Sequence, residues 1–391
     1  MAESSPFHIV FDVYHLYHLP QFEPVIDLLS NDDRFNVTLT VSAEIKKAEY
    51  ELIQKILKAK TNQVIFSDNE DDRAKQIKSS RPDVFICGWS RYELDEFVTE
   101  STLVGMIYHG IGVKPSYWLD NHPRLDLRFV EGPLRNEQLR NHNIETDLIL
   151  TGFAKLDPIF NGLVSPREKV LEELGLDPQR KTILYAPTFY PSSMEEFGTS
   201  IGENTKKYNL IIKLHLWAFF LKNFAGIKFK GQIDLAKRME SEYGHVRFLG
   251  PEVYNIVPFY SAADVLITEA SSTIYEMMAI DKPVILAKFY KLRLSHRLFP
   301  YRLYKRRLNE EMSEGMTDFC IQLEEPKELP SALQTAFFNH DPNDEKRSQY
   351  KQEMLYKLDG KASVRIRDAI LKRLSRGGSV SYTHLTLPTK A

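Results

Sequence analysis

VLITEASSTIYEMMAIDKPVIL, residues Val265–Leu286, reads in one pass as strand, turn, helix and strand. Val265, Leu266 and Ile267 form a short apolar run suited to a buried parallel strand. Glu269, Ala270, Ser271 and Ser272 make the turn. Thr273 and Glu276 stand at the Ser/Thr-x-x-Glu spacing of a capping box, which predicts a helix starting there. Asp281-Lys282-Pro283 ends that helix, and Val284–Leu286 is the next strand. Small hydroxyl residues between a strand end and a helix start suit an anionic group, because free backbone N–H groups and the positive end of the helix dipole meet there. Helix capping alone accounts for the same residues. The rest of the chain has to decide between the two readings.

Outward from this stretch, strand and helix patterns alternate along nearly the whole chain. Before it come strands at Phe7–Val13, Phe35–Val41, Gln63–Phe66, Pro82–Cys87 and Leu103–Tyr108, then Leu127–Val130 and Asp147–Leu150. Helical segments fall between them at Phe22–Leu29, Ala43–Lys60, Asp71–Lys78 and Pro133–His142. Thr151-Gly152-Phe153-Ala154-Lys155-Leu156-Asp157-Pro158, punctuated by Gly and Pro, starts the crossover to a second half. There the pattern repeats, with strands at Thr182–Tyr185, Asn209–Leu214 and Val246–Leu249. Helices are expected at Ala218–Phe224, Asp234–Tyr243 and Val253–Ser261, and one or two more over Asp344–Ser375. Alternation of this kind implies parallel sheets with crossover helices. The expected fold class is α/β and GT-B-like: two Rossmann-like domains, residues 1–155 and 156–376, facing a central cleft, with helices at the C-terminal end.

Size and composition agree with two globular domains. The chain has 391 residues, 43% hydrophobic and 27% charged, enough for a sizeable core. A formal net charge of −2 gives no global attraction to nucleic acid or lipid, and no RNA-binding motif stands out. Cys87 and Cys320, the only cysteines, lie in separate halves and form no ligand pattern, as in a reduced cytoplasmic protein. MAESSPFHIVFDVYHL lacks a basic stretch ahead of an apolar core, so no signal peptide is expected. No run approaches the ~18 apolar residues of a membrane span. The tail, residues 377–391, is expected to be disordered and non-native: Ser381–Ala391, SYTHLTLPTKA, resembles translated sequencing-adapter read-through.

In open α/β sheets ligands bind beyond the carboxyl ends of the strands. The fifth strand ends in His109-Gly110-Ile111-Gly112-Val113-Lys114. Its glycines let the backbone approach a ligand, His109 can take a proton near neutral pH, and Lys114 can meet a phosphate. In the second half Thr188, His215 and the Ser271-Ser272 pair each end a strand on one rim. Histidine and hydroxyl donors on one rim suit a diphosphate. Asp157, Asp264 and Glu269 form no recognisable metal spacing, and no cofactor is called for.

These strand ends carry a resemblance. YHGIGVK (Tyr108–Lys114) is similar to the His-Gly-Thr-Pro-x-Lys motif of the CDP-glycerol glycerophosphotransferase family, the teichoic-acid polymerase type. TGFAKLDPIF (Thr151–Phe160) resembles its Thr-Gly-x-Pro-Lys/Arg-x-Asp segment, and ILYAPTFY (Ile183–Tyr190) its Tyr-Ala-Pro-Thr-Trp segment. LIIKLHLW (Leu210–Trp217) resembles its strand ending in Arg/Lys-x-His. Ala263–Ile285 resembles its Ala-Asp-x-x-Ile-Thr-Asp-Tyr-Ser-Ser motif through to Lys-Pro-Ile. The resemblance implies a GT-B fold, an acceptor half followed by a nucleotide-donor half, and transfer of a polyol phosphate from a CDP-linked donor to an acceptor hydroxyl with release of CMP. It implies His109 as the base and His215 beside the donor diphosphate. Gly110, Lys114, Thr188, Glu269, Ser271, Ser272 and Thr273 become the substrate-binding candidates. The acceptor would be a polyol or glycan, often lipid-linked.

The chain departs from that pattern at His109-Gly110-Ile111-Gly112, which lacks the threonine and proline, and at Glu269-Ala270, which replaces Asp-Tyr. An inverting sugar transferase with a histidine base, a nucleotide-sugar epimerase and a non-catalytic nucleotide- or lipid-binding scaffold therefore stay open. Retaining sugar transferases of this fold carry two glutamates at a spacing that Glu269 and Glu276 do not have. Lys288–Leu308, KFYKLRLSHRLFPYRLYKRRL, mixes basic and aromatic residues with no acidic one. It is either a solvated basic loop or a surface for anionic lipid or a polyanionic acceptor, and docking on lipid fits a cytoplasmic protein visiting the inner face of the membrane.

Overall fold

The structure is a computed structural model that describes residues 5–90, 93–112, 116–221, 223–224, 227–302, 316–338 and 343–377. The first sheet has strands β1 (Phe7–Asp12), β2 (Phe35–Thr40), β3 (Val64–Ile65), β4 (Val84–Cys87), β5 (Leu103–Ile107), β6 (Leu127–Val130) and β7 (Asp147–Leu150). Their order is β3-β2-β1-β4-β5-β6-β7, and every pairing is parallel. The second sheet uses β8 (Thr182–Tyr185) and β9 (Asn209–Ile212). After a small antiparallel pair, β10 (Asn223–Phe224) and β11 (Ile227–Lys228), come β12 (Val246–Phe248), β13 (Val265–Thr268), β14 (Val284–Ala287) and β15 (Ile321–Leu323). The order is β12-β9-β8-β13-β14-β15, again all parallel. Continuous apolar runs such as VFIC, VLIT and VILA become central strands because both faces of a parallel sheet are covered by helices.

Strand order reverses between β1 and β4 in one sheet and between β8 and β13 in the other. Crevices open at such switch points, so the chain leaving β1, β4, β8 and β13 is where a ligand would lie. The two-domain α/β expectation is met. Among details, the first helix runs Leu19–Ser30, earlier than expected, because Pro20 sits in its first turn and has no N–H to lose there. The helix expected from Ala43 begins at Lys47, since Ser42 Oγ and the Ala43 N–H donate to the Glu70 carboxylate instead. The helix expected over Ala218–Phe224 stops at Phe220.

The helix opening the organising stretch runs Thr273–Ala279, but the capping box is absent: its N-cap is Ser272, with no side-chain cap. Glu276 cannot reach back because its carboxylate is drawn into the core, accepting from Lys155 Nζ at 2.5 Å and Tyr260 Oη at 2.9 Å. The strand β15 and the helix Leu329–Phe338 escaped the reading, the strand being too short to show a period.

The last helix, Ala362–Gly377, follows the second domain in sequence yet packs on the first. Ala362, Ile366 and Ile370 join Phe22, Val25 and Leu29 in one apolar cluster. Arg373 pairs with Asp147 at 3.0 Å. The Asp157 carboxylate in the crossover accepts from the Ala362 and Ser363 N–H groups at 3.1 and 2.7 Å, tying both ends of the second domain together. Residues 378–391 of the tail lie outside the described residues. Ile370 is fully buried, so Ile370→Ala should cost about 2–5 kcal/mol and lower the thermal midpoint of the first domain. An unchanged midpoint by calorimetry would show that the helix is not part of that core.

Candidate active site

The chain leaving β1 makes a short helical turn, Leu16–His18, that lifts Tyr17 and His18 to the rim of the first sheet. Gly88, at the end of β4, leaves room for the His18 ring, which a Cβ there would meet at 3.0 Å. The His109 ring follows β5 and lies 5.1 Å from the His18 ring and 5.3 Å from the Tyr17 ring. From the other domain, the rings of His215 and Trp217 each lie 5.9 Å from Tyr17. Two histidines on opposite sheets are thus brought against one tyrosine. Neither Tyr17 nor His18 was singled out from sequence. The signal available was only a dense aromatic run just past a strand end.

The approach of the domains depends on the glycines after His109. A Cβ at Gly110 would sit 3.0 Å from Ser272 Cβ, Ser272 Oγ and Tyr117 Oη. Gly112 has φ of +137°, a backbone conformation that favours glycine. Arg135 holds this loop from below. Its guanidinium is buried, donates to Glu131 Oε1 at 3.0 Å and to the Gly112 carbonyl, and lies 3.9 Å from the Tyr117 ring centre. Lys114 falls outside the described residues.

On the second rim, Glu269 organises the loop after β8. Its carboxylate accepts from the Thr188 N–H at 2.5 Å, from the Ser193 N–H at 2.7 Å and from the Ser193 hydroxyl. The residue is fully buried, and burial pushes its acid up to about 7 although these hydrogen bonds pull it down. The carboxylate expected to touch substrate is therefore turned into the protein and shapes the loop. The Thr188 hydroxyl donates to the Pro191 carbonyl, and the Thr273 hydroxyl donates to Ser271 Oγ at 3.1 Å. Nδ1 of His215 accepts from the Trp217 N–H at 3.1 Å, which puts the proton of a neutral ring on Nε2. His215 so arranged is a hydrogen-bond donor rather than a base.

The structure thus brings His109, Gly110, Ser272 and His215 together around Tyr17. Thr188 joins Glu269, and Ser271 joins Thr273, at the adjoining strand ends. Among the described residues no cluster of His, Cys, Asp and Glu is placed to hold a metal ion.

The model of the CDP-glycerol:poly(glycerophosphate) glycerophosphotransferase family matches residues 46–372. The chain belongs to this family. A curated relative of this glycerophosphotransferase-family chain is the teichoic acid poly(ribitol-phosphate) polymerase of Bacillus spizizenii, 23% identical over 318 residues. That alignment takes in 72% of the present chain but 47% of the relative, so the chain spans about half the relative's length. Among solved structures, the wall teichoic acid polymerase TagF superposes with a TM-score of 0.64 at 14% identity, over 95% of this chain and 90% of that one. UDP-GlcNAc 2-epimerase from Neisseria meningitidis superposes with a TM-score of 0.55 at 14% identity, over 94% and 100% of the two chains. At such identities these likenesses establish the fold, the two-domain GT-B type.

Glu269 has a consequence for pH. Its acid is raised from 4.5 to about 7, so between those values the folded chain holds a proton that the unfolded chain releases. Stability from this group therefore falls as pH rises through that window and is level outside it. Glu269→Gln should remove this slope from a plot of thermal midpoint against pH. Persistence of the slope would place its source elsewhere.

Proposed function

We propose that this chain transfers a polyol phosphate from a CDP-linked donor to an acceptor hydroxyl and releases CMP, in the building of a cell-surface polymer. The observation that carries this reading is the meeting of His109 and His215, from opposite domains, on the Tyr17 ring. Family membership supports a transferase, and a TagF variant has been soaked with CDPG. The first domain would hold the acceptor and the second the donor. No metal or cofactor enters the proposal.

His109 takes the proton of the acceptor hydroxyl, and the freed oxygen attacks the donor's β-phosphorus. A new P–O bond forms, the bond to the bridging oxygen breaks, and its electron pair leaves on CMP. His215 donates from Nε2 to the diphosphate, with the Ser271 and Ser272 hydroxyls and the Thr188 loop around it. These donors stabilise charge that grows on phosphate oxygens as the bond breaks. Positioned proton transfer contributes ~10²–10⁴-fold, so His109→Ala should cut CMP release by that range while donor affinity stays near wild type. Near-normal turnover in this variant would remove His109 from the role. Losing one donor to a charged oxygen costs about 1.5–3 kcal/mol; Ser272→Ala should therefore weaken CDP binding roughly tenfold or more. Unchanged calorimetric affinity would leave Ser272 as a packing residue only. Release of UDP or GDP, or of CMP from a sugar donor, in place of CMP from a CDP-linked polyol, would favour the sugar-transferase alternative.

The basic segment gives the site a second face. Residues 303–308 of Lys288–Leu308 lie outside the described residues. The described part folds back on the Thr188–Ser193 loop: His296 Nδ1 meets Tyr190 Oη at 2.7 Å, and the Lys291 N–H donates to the Ser192 carbonyl at 3.2 Å. Leu294, Leu298, Phe299 and Tyr301 are exposed beside Arg297 and Arg302. No helix among the described residues is long and apolar enough to cross a membrane. Apolar and cationic side chains together favour an anionic bilayer surface, each cation adding about 1 kcal/mol. On this reading the protein works on the cytoplasmic side, docked by this segment, and draws a lipid-linked acceptor into the cleft. Co-sedimentation should require anionic vesicles, weaken with salt and drop when Arg297, Arg302, Leu298 and Phe299 become Ser. Equal partition onto neutral vesicles would dispose of the idea.

A further inference from the structure

Tyr117 lies in the short helix Ser116–Leu119, just beyond the glycine loop that follows β5 and outside every motif singled out in the sequence. The residue is only 4% exposed. Its ring lies 6.0 Å from the His109 ring and 5.4 Å from the Tyr108 ring. Its hydroxyl is turned to Gly110, where a Cβ would meet it at 3.0 Å, and Ser272 Oγ comes within 3.0 Å of the same point from the other domain. Among the described residues neither hydroxyl has a hydrogen-bond partner. The bond from Tyr108 Oη, at 3.2 Å, ends on the Tyr117 carbonyl, and Ser272 caps its helix without using its side chain. Two unspent hydroxyls from opposite domains thus converge over one glycine, next to the histidine that follows β5.

A buried tyrosine ordinarily spends its hydroxyl on a partner, and phenylalanine would fill the same space without leaving one idle. The Arg135 guanidinium lies 3.9 Å from the centre of the Tyr117 ring, and a cation there makes the phenol a stronger donor. Burial raises the pKa of the hydroxyl above its ordinary value, and Arg135 offsets this only in part. The group therefore keeps its proton near neutral pH: it can donate and cannot serve as a base. A phosphoryl group in transit has to pass between the base on the acceptor oxygen and the groups that hold the nucleotide. The Tyr117 hydroxyl faces both sides, lying against Gly110, the neighbour of His109, and toward Ser272. We propose that Tyr117 is a further catalytic residue, which donates a hydrogen bond to a non-bridging oxygen of the phosphoryl group as it is transferred. The P–O bond to CMP breaks and the P–O bond to the acceptor forms, while the tyrosine keeps its own proton throughout. Such a donor counts most where charge grows on those oxygens. The proposal rests on the reading of the chain as a transferase that uses a CDP-linked donor.

The test uses the full chain, wild type and Tyr117→Phe, which keeps the ring that Arg135 rests against. CMP and orthovanadate are the calorimetric probes, because vanadate takes up the five-coordinate geometry of phosphorus in transfer. In the wild type, orthovanadate should tighten CMP binding, as expected of a transition-state mimic. Tyr117→Phe should cut that gain about tenfold or more, with the affinity for CMP alone and the thermal midpoint unchanged. An equal effect of vanadate in the two proteins, or none in either, would overturn the proposal. So would a lowered midpoint with a parallel loss of CMP affinity, since that is the signature of a packing role. Wild-type binding of orthovanadate that depends on Tyr117, without any binding of CMP, would uphold the tyrosine and sink the cytidine-donor reading instead. Binding of neither probe to the wild type would remove both.

Discussion

A methyl group at position 110 would come within 3.0 Å of the Ser272 and Tyr117 side chains, and would press the turn after β13 away from the loop after β5. Gly110 lets the loop after β5 lie directly against the turn after β13, so two sheets built independently are brought to contact at their carboxyl ends. Only with that closeness do His109 and His215 reach the same tyrosine ring. The contact is steric, not electrostatic.

Around this contact, buried charges act as props. Arg135, held by the Glu131 carboxylate, donates to the Gly112 carbonyl, Glu269 holds both ends of the Thr188–Ser193 loop, and Lys155 with Glu276 joins the crossover to the helix after Ser272. Buried ion pairs add little net stability compared with apolar packing. Their directional bonds do something that packing does poorly: they hold a loop backbone at one height and angle. Each prop lies behind a loop that carries a candidate functional residue.

The last helix closes the molecule by returning to the first domain. The crossover at Thr151–Pro158 and this return make a second link between the domains. Gly152, at φ +88°, lies against the Tyr356 carbonyl, and Arg365 donates to the Thr151 carbonyl at 3.0 Å. Glu23 adds a polar tie, accepting from Asn255 at 3.0 Å and pairing with Lys60 at 2.6 Å. The two domains are therefore joined at more than one place, and the rings of Tyr17, Trp217, His109 and His215 gather where they meet.

The sequence by itself determined the parallel α/β class, most of the strands and the strand ends worth inspecting. Apolar runs of four residues or so report burial on both faces, and that is a local property. It also pointed to His109, His215 and the Ser271-Ser272 turn, because ligand sites of such sheets follow strand ends. What it could not determine was the direction of each side chain. Glu269 and Glu276 looked like a substrate ligand and a helix cap, but the core claims both carboxylates through Thr188, Ser193, Lys155 and Tyr260. Tyr17 and His18 carried no motif-level signal, since their meaning lies in residues far away in the chain. Only the tertiary structure decides which distant groups share a space, and it is that sharing which turns a buried charge or a ring into part of a site.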